Sequence, residues 1–165
     1  MTDQSSALTA IVNADWEDAG KVCDEVLDEF YKQWQHESLV VNQWFGIQSA
    51  STKPGGLARL KSLLKHPAFD IKNPNKARAL IGGFCGLNPY NMHNADGSGY
   101  EFVADQIIKL NDINPQIASR LAVPLTKWRK MDEDRANLMK KQLERISNHP
   151  GLSGDVNELV IKSLR

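Results

Sequence analysis

Several things that mark function in a sequence are scarce here. Only two of the 165 residues are cysteine, Cys23 and Cys85, and neither stands in a CxxC pair. That argues against a disulfide scaffold and a zinc ribbon, and it suits a reducing compartment. No apolar run approaches the roughly 20 residues needed to span a bilayer, so no membrane partner is expected. The opening MTDQSSALTAIV lacks the basic start and apolar core of a secretory signal. Neither sign of charge is in excess: 20 basic residues balance 20 acidic ones, leaving no global field to draw nucleic acid.

Catalytic motifs are missing as well. The four histidines, His36, His66, His93 and His149, are scattered, with no HExxH and no pair four residues apart. A zinc site needs three or four converging ligands, so no metal ligand and no catalytic residue is assigned. Surface or capping roles are expected of the histidines. Gly82, Gly83 and Gly86 lack the GxxxxGK[ST] spacing of a phosphate loop, and Gly97 with Gly99 does not make GxGxxG. Both groups read as packing and turn glycines. Cys85 lies among small residues in IGGFCGL with no base in view, which marks a packing position and not a nucleophile.

What the chain does have is helical periodicity. Ala19, Val22, Cys23, Val26, Leu27, Phe30, Tyr31 and Trp34 recur at spacings of three and four, with Asp24, Glu25, Asp28 and Lys32 opposite. This predicts an amphipathic helix from Trp16 to Trp34. Shorter helices are expected from Thr2 to Asn13 and from Ser38 to Ala50. A further one, carrying Leu57, Leu60 and Leu64, ends near His66-Pro67. Asn73-Pro74 and Asn114-Pro115 each place a capping side chain before a proline at the first helical position. The second of these helices is kinked or ended by Pro124.

Between them, Leu87 to Gly97 reads as a loop, followed by a helix opened by a Ser98/Glu101 capping box. Asp132 to Asp134 mark another helix start. Asp155 and Glu158 suggest a last capping box. The fold class is therefore all-α. About eight to ten helices, joined by short connections, would stack as antiparallel pairs in a superhelical, solenoid-like array. Residues 1–165 read as one domain.

Three polar side chains stand out on these helices. Gln116 and Arg120 project side by side at i, i+4 and flank the apolar stripe of Ile117 and Leu121. Arg78 is placed similarly on the helix opened by Asn73-Pro74. By themselves they read as surface or salt-bridging residues. The basic run Lys127, Arg129 and Lys130 around Trp128 precedes Asp132 to Asp134 and reads as a solvated helix end.

Longer strings carry a resemblance. HPAFDIKNPNKARALIGGFCGLNP, HNADGSGYEF, NPQIASRLAVPLTKW, QWQHESLVVNQWFGIQSAS and LSGDVNELVIKSL resemble, in matching order, the C-terminal domain of bacterial aminopeptidase N. The resemblance implies a bowl of stacked helices that closes over an upstream thermolysin-like catalytic domain. That domain would hold the zinc on an HExxH helix, and this chain would hold no cofactor. Carried over by motif, Arg78, Gln116 and Arg120 would line the substrate chamber. Gln116 would border the pocket for the N-terminal residue, and the two arginines would face later parts of the peptide. The implied partners are the catalytic domain of the same polypeptide and peptide substrates, and the implied location is cytoplasmic. The alternative is a stand-alone helical scaffold that binds proteins. In the first case an apolar docking patch is expected, with the face of Trp44 and Phe45 as a candidate.

Overall fold

The computed structural model describes residues 2–165. The amphipathic stripe becomes α2 (Ala19–Trp34), which buries Cys23, Leu27 and Phe30. It begins three residues later than the stripe suggests. Asp18, at the cap, has a left-handed φ of 65°, so the helix cannot run back to Trp16. Around it lie α1 (Thr2–Val12), α3 (Ser38–Ser49) and α4 (Gly56–Leu63).

Trp44 and Phe45 are not a docking face. They are only 5% and 0% exposed. The Trp44 indole donates to the Leu27 carbonyl at 3.0 Å, and Phe45 packs edge-on against Phe69. His66 joins this cluster, with its ring 4.7 Å from Tyr31 and 5.1 Å from Trp44. Its Nδ1 also accepts from the Ala68 N–H at 3.2 Å. It therefore has a packing role in addition to the capping one expected.

Three Asn-Pro pairs start helices, one more than the periodicity revealed. Asn73 accepts from the N–H groups of Asn75 and Lys76 and opens α5 (Pro74–Ala77). Asn114 accepts from Ile117 and opens α9 (Pro115–Ala122). Asn88 accepts from Asn91 and opens α7 (Pro89–Met92), inside the segment expected to be a loop. Asn88 and Asn91 are both buried and donate to the carbonyls of Ser49, Ser51 and Lys53. They tie the α3–α4 connection to α7, because a buried backbone carbonyl must find a donor.

Both expected capping boxes fail. Helix α8 (Ser98–Asn111) is entered through Gly97 at φ 74°, and the Ser98 hydroxyl donates to Asp96 instead. In α11 (Gly154–Leu164) the cap is Ser153, which accepts from the Val156 N–H. Glu158 pairs with Lys162. Helix α10 (Glu133–Ser147) starts as expected, with Asp132 accepting from Arg135.

The chain after Asn73 continues through α5, a π turn (Arg78–Gly82) and α6 (Gly83–Leu87) without leaving helical dihedrals. The Gly83 N–H reaches back five residues to the Arg78 carbonyl. Within this rod Ala77, Leu80, Ile81 and Phe84 are all 0% exposed.

The helices form two rows. In one, α3 packs on the π turn of the rod, the rod on α9, and α9 on α11. In the other, α4, α7, α8 and α10 follow one another. Rungs between the rows are α3 with α4, α6 with α7, α8 with α9, and α10 with α11. Stacked pairs of this kind are the all-α solenoid expected from the sequence. One contact fixes the second row closely. A Cβ on Gly99 would lie 2.4 Å from the Met92 carbonyl oxygen and 2.7 Å from that of Asn91. Only glycine lets α8 approach α7 this far.

Candidate functional site

Arg78, Gln116 and Arg120 all sit on the first row, on two rods in contact. Arg78 opens the π turn, and Gln116 and Arg120 lie one turn apart on α9. The rods meet where a Cβ on Gly82 would be 3.9 Å from Leu121 Cδ2 and 4.0 Å from Arg78 Cβ. Ile117, Ala118 and Leu121 bury the inner stripe of α9. That leaves Gln116 and Arg120 exposed, as Arg78 is.

Their hydrogen-bonding capacity is largely unused. The Arg78 guanidinium makes one long contact, 3.4 Å to the Asn75 side chain. Among the described residues, Gln116 and Arg120 make no side-chain hydrogen bond and enter no ion pair. A guanidinium and a primary amide can hold carbonyls and carboxylates. They supply neither a nucleophile nor a metal ligand. Among the described residues no group of three or more His, Cys, Asp or Glu side chains converges to hold a metal ion.

The two cysteines are unreactive in character. Cys85 is half-buried as a residue, but burial of its thiol pushes the pKa up to about 12. Burial likewise raises Cys23. His93 accepts or donates at 2.9 Å with the Tyr100 hydroxyl. Burial and then the Arg135 charge hold its pKa below the usual histidine value.

The basic run near Trp128 is divided in a way its spacing had not disclosed. Helix α9 ends at Ala122, as Pro124 predicts, and Val123 and Pro124 form a turn with helical dihedrals that leads into a 3-10 helix (Leu125–Lys130). Three residues per turn place Pro124, Lys127 and Lys130 along one edge. Arg129 leaves by another, stacking 4.2 Å over the Trp128 ring and donating to the Ser163 carbonyl at 2.5 Å.

Relatives share this domain as a whole. A family model described as a domain of unknown function (DUF3458_C) with ARM repeats matches residues 1–165. Aminopeptidase N of Caulobacter vibrioides is 40% identical over 164 residues, which is 99% of this chain and 18% of that protein. The chain belongs to the C-terminal ARM-repeat domain family of aminopeptidase N-type enzymes.

The Haemophilus influenzae aminopeptidase N is 39% identical over 166 residues, 100% of this chain and again 18% of its own length. A solved structure of Legionella pneumophila aminopeptidase A, in complex with aspartic acid, superposes on this ARM-repeat domain with a TM-score of 0.91. It is 36% identical and covers 99% of this chain and 19% of its own. The domain thus spans about a fifth of the proteins it matches. No helix among the described residues is long and apolar enough to cross a membrane.

Proposed function

We propose that residues 1–165 form the non-catalytic cap domain of a longer, cytoplasmic zinc aminopeptidase that removes N-terminal residues from peptides. The upstream domain would bind the zinc and use a metal-activated water on the scissile carbonyl. This domain would wall the chamber and control which peptides enter. The observation that carries the reading is the identity of about two residues in five with aminopeptidase N across the entire domain. Arg78, Gln116 and Arg120 support it. They are exposed donors with spare capacity on two touching rods, as side chains that hold a bound peptide need to be. Gln116 would border the pocket for the N-terminal residue. The arginines would take backbone carbonyls or the carboxylate further along.

Arg120→Ala in the polypeptide that carries this domain tests the reading. We expect kcat/KM on peptides of four or more residues to fall by about tenfold, the scale of one lost charge-assisted hydrogen bond. Zinc content should not change. Equal turnover of all peptide lengths by variant and parent would remove Arg120 from the chamber. Reading the coding frame upstream of Met1 is a second test: an HExxH helix there supports the cap, whereas a stop codon directly before Met1 favours a free-standing scaffold.

A further inference from the structure

A groove of about 370 Å³ opens between the α6–α7 corner and the 3-10 helix that continues α9. Gly86 and Pro89 form one wall, and Pro124, Lys127, Lys130 and Met131 the other, with Met139 also lining it. The groove is more apolar than polar. Leu87, Tyr90 and Val123 are 66%, 56% and 41% exposed, and each is next in sequence to a lining residue. An apolar groove edged by two exposed cations, with exposed apolar residues nearby in the chain, is a place for a ligand or partner.

The charges on this strip are of one sign. No carboxylate lines the groove. Among the described residues, Lys127 and Lys130 make no ion pair and no side-chain hydrogen bond. Asp132, the acid nearest in sequence, is bound to Arg135 at 2.9 Å, and hydrogen bonds from Arg135 keep its carboxyl below the usual range. His93, also at the groove, is held towards its neutral form and adds no third cation. An occupant complementary to this surface has an apolar side chain and a carboxylate.

Its position relative to the arginines is equally informative. The groove lies on the same pair of rods as the proposed chamber wall. Arg78, Gly82 and Gly86 succeed one another along the first rod, and Gln116, Arg120, Pro124 and Lys127 along the second. Gly82 meets Leu121 before Gly86 and Pro124 meet the groove, so the two rods run in the same direction. From Gln116 to Lys127 the helical rise adds up to roughly 18 Å, at about 1.5 Å per residue in α9 and 2.0 Å beyond it. An extended peptide covers that span in about five or six residues, at about 3.3 Å each.

We propose that this groove is a distal subsite, which receives the C-terminal end of a peptide about five or six residues long, its last apolar side chain in the groove and its carboxylate between Lys127 and Lys130. The proposal rests on the chamber reading, since it places the amino end of the peptide by Gln116. It adds a substrate class: short peptides with a free, apolar C-terminal residue.

The test uses the full polypeptide that carries this domain and alanine peptides of three to eight residues ending in leucine, each made as free acid and as amide. For peptides of about five residues and longer, kcat/KM for the acid should exceed that for the amide by about tenfold. Lys127→Gln with Lys130→Gln should abolish the advantage for these lengths, and the Lys→Arg pair should keep it. In shorter peptides the acid-to-amide ratio should not respond to either pair. A ratio that ignores the lysines at every length overturns the subsite. So does a Gln pair that lowers turnover of acid and amide equally or reduces the melting temperature, since the groove would then be covered by the upstream domain. Arg120→Ala separates the two levels: if it lowers turnover while the lysine pair does nothing, the chamber reading stands and the distal subsite falls. If neither variant has an effect, the chamber reading itself fails.

Discussion

Helix α2 buries one stripe and leaves Asp24, Glu25, Asp28 and Lys32 in water, whereas the middle of the rod from Pro74 to Leu87 encloses Ala77, Leu80, Ile81, Gly83 and Phe84 and exposes only Arg78 between them. The first needs only that apolar residues recur every three or four positions. The second must let neighbours approach from α3, α9 and α7, so size at each contact matters more than hydrophobicity. Ser49 shows this: its hydroxyl donates to the Ala79 carbonyl of the rod at 3.1 Å, and a Cβ on Gly83 would lie 2.3 Å from the Ser49 hydroxyl oxygen. Stability should therefore be sensitive to single atoms in the enclosed part and tolerant of them on α2.

Alanine in place of glycine puts that contrast to the test. The largest effect is expected from Gly99→Ala, where the new carbon meets backbone oxygens that cannot rotate away. We expect a loss of about 3 kcal/mol, read as a fall in melting temperature of roughly 6–12 °C. A melting temperature within a degree of the parent would mean that α7 and α8 can slide apart, and that close packing away from α2 tolerates an added atom. The reverse sign is expected for Gly20→Ala on α2, where nothing lies within 4 Å of the added carbon. Helix propensity alone should raise stability by about 0.5–1 kcal/mol. A loss there would show that α2 is less open than it looks.

The smallest effect concerns pH. Burial holds the His66 pKa below its ordinary value of 6.5. The unfolded chain then takes up the proton first, so stability is full above about pH 6.5 and declines as pH falls through the lower, folded value. Melting temperature should drop between pH 7.5 and 5, and His66→Phe should make that slope shallower. His93 is shifted in the same direction and keeps part of it. Identical slopes in parent and variant would show that the aromatic cluster beside α2 does not sense protonation.

Legibility from sequence followed the same division. The stripe of α2, the two Asn-Pro caps at 73–74 and 114–115, and the all-helical stacked architecture could be read directly, because period and cap chemistry are local. The third Asn-Pro at 88–89 follows a glycine-rich stretch and precedes NMHNADGSG, so turn composition hid a one-turn helix. Ser98 and Glu101 have the right spacing for a capping box, but Gly97 at φ 74° and Asp96 took over the helix entry. Trp44 and Phe45 lie on a helix that is apolar on more than one face, and a sequence cannot say which face is outside.

Of the candidate site, Arg78, Gln116 and Arg120 were visible as polar residues flanking apolar stripes. The contact between the rods that carry them was not, because it depends on packing between segments some forty residues apart. The partition of Lys127 and Lys130 from Arg129 needed the change from a 3.6-residue to a three-residue period after Pro124.

The π turn at Arg78–Gly82 can be viewed as one residue more than an α-helix has room for. Natural drift that deleted a residue there would restore a regular helix and lengthen no loop. It would leave the flanking segments in phase, whereas straightening the rod with every residue kept would rotate one side by about 100° relative to the other. Ala77 on one side and Leu80, Ile81 and Phe84 on the other are all fully enclosed, so neither side of a straightened rod could take up that rotation. The surplus residue thus acts as a register mark: it keeps Arg78 and Ala77 in phase with the buried residues that follow, and a designer who straightened the rod without a deletion would lose that phase.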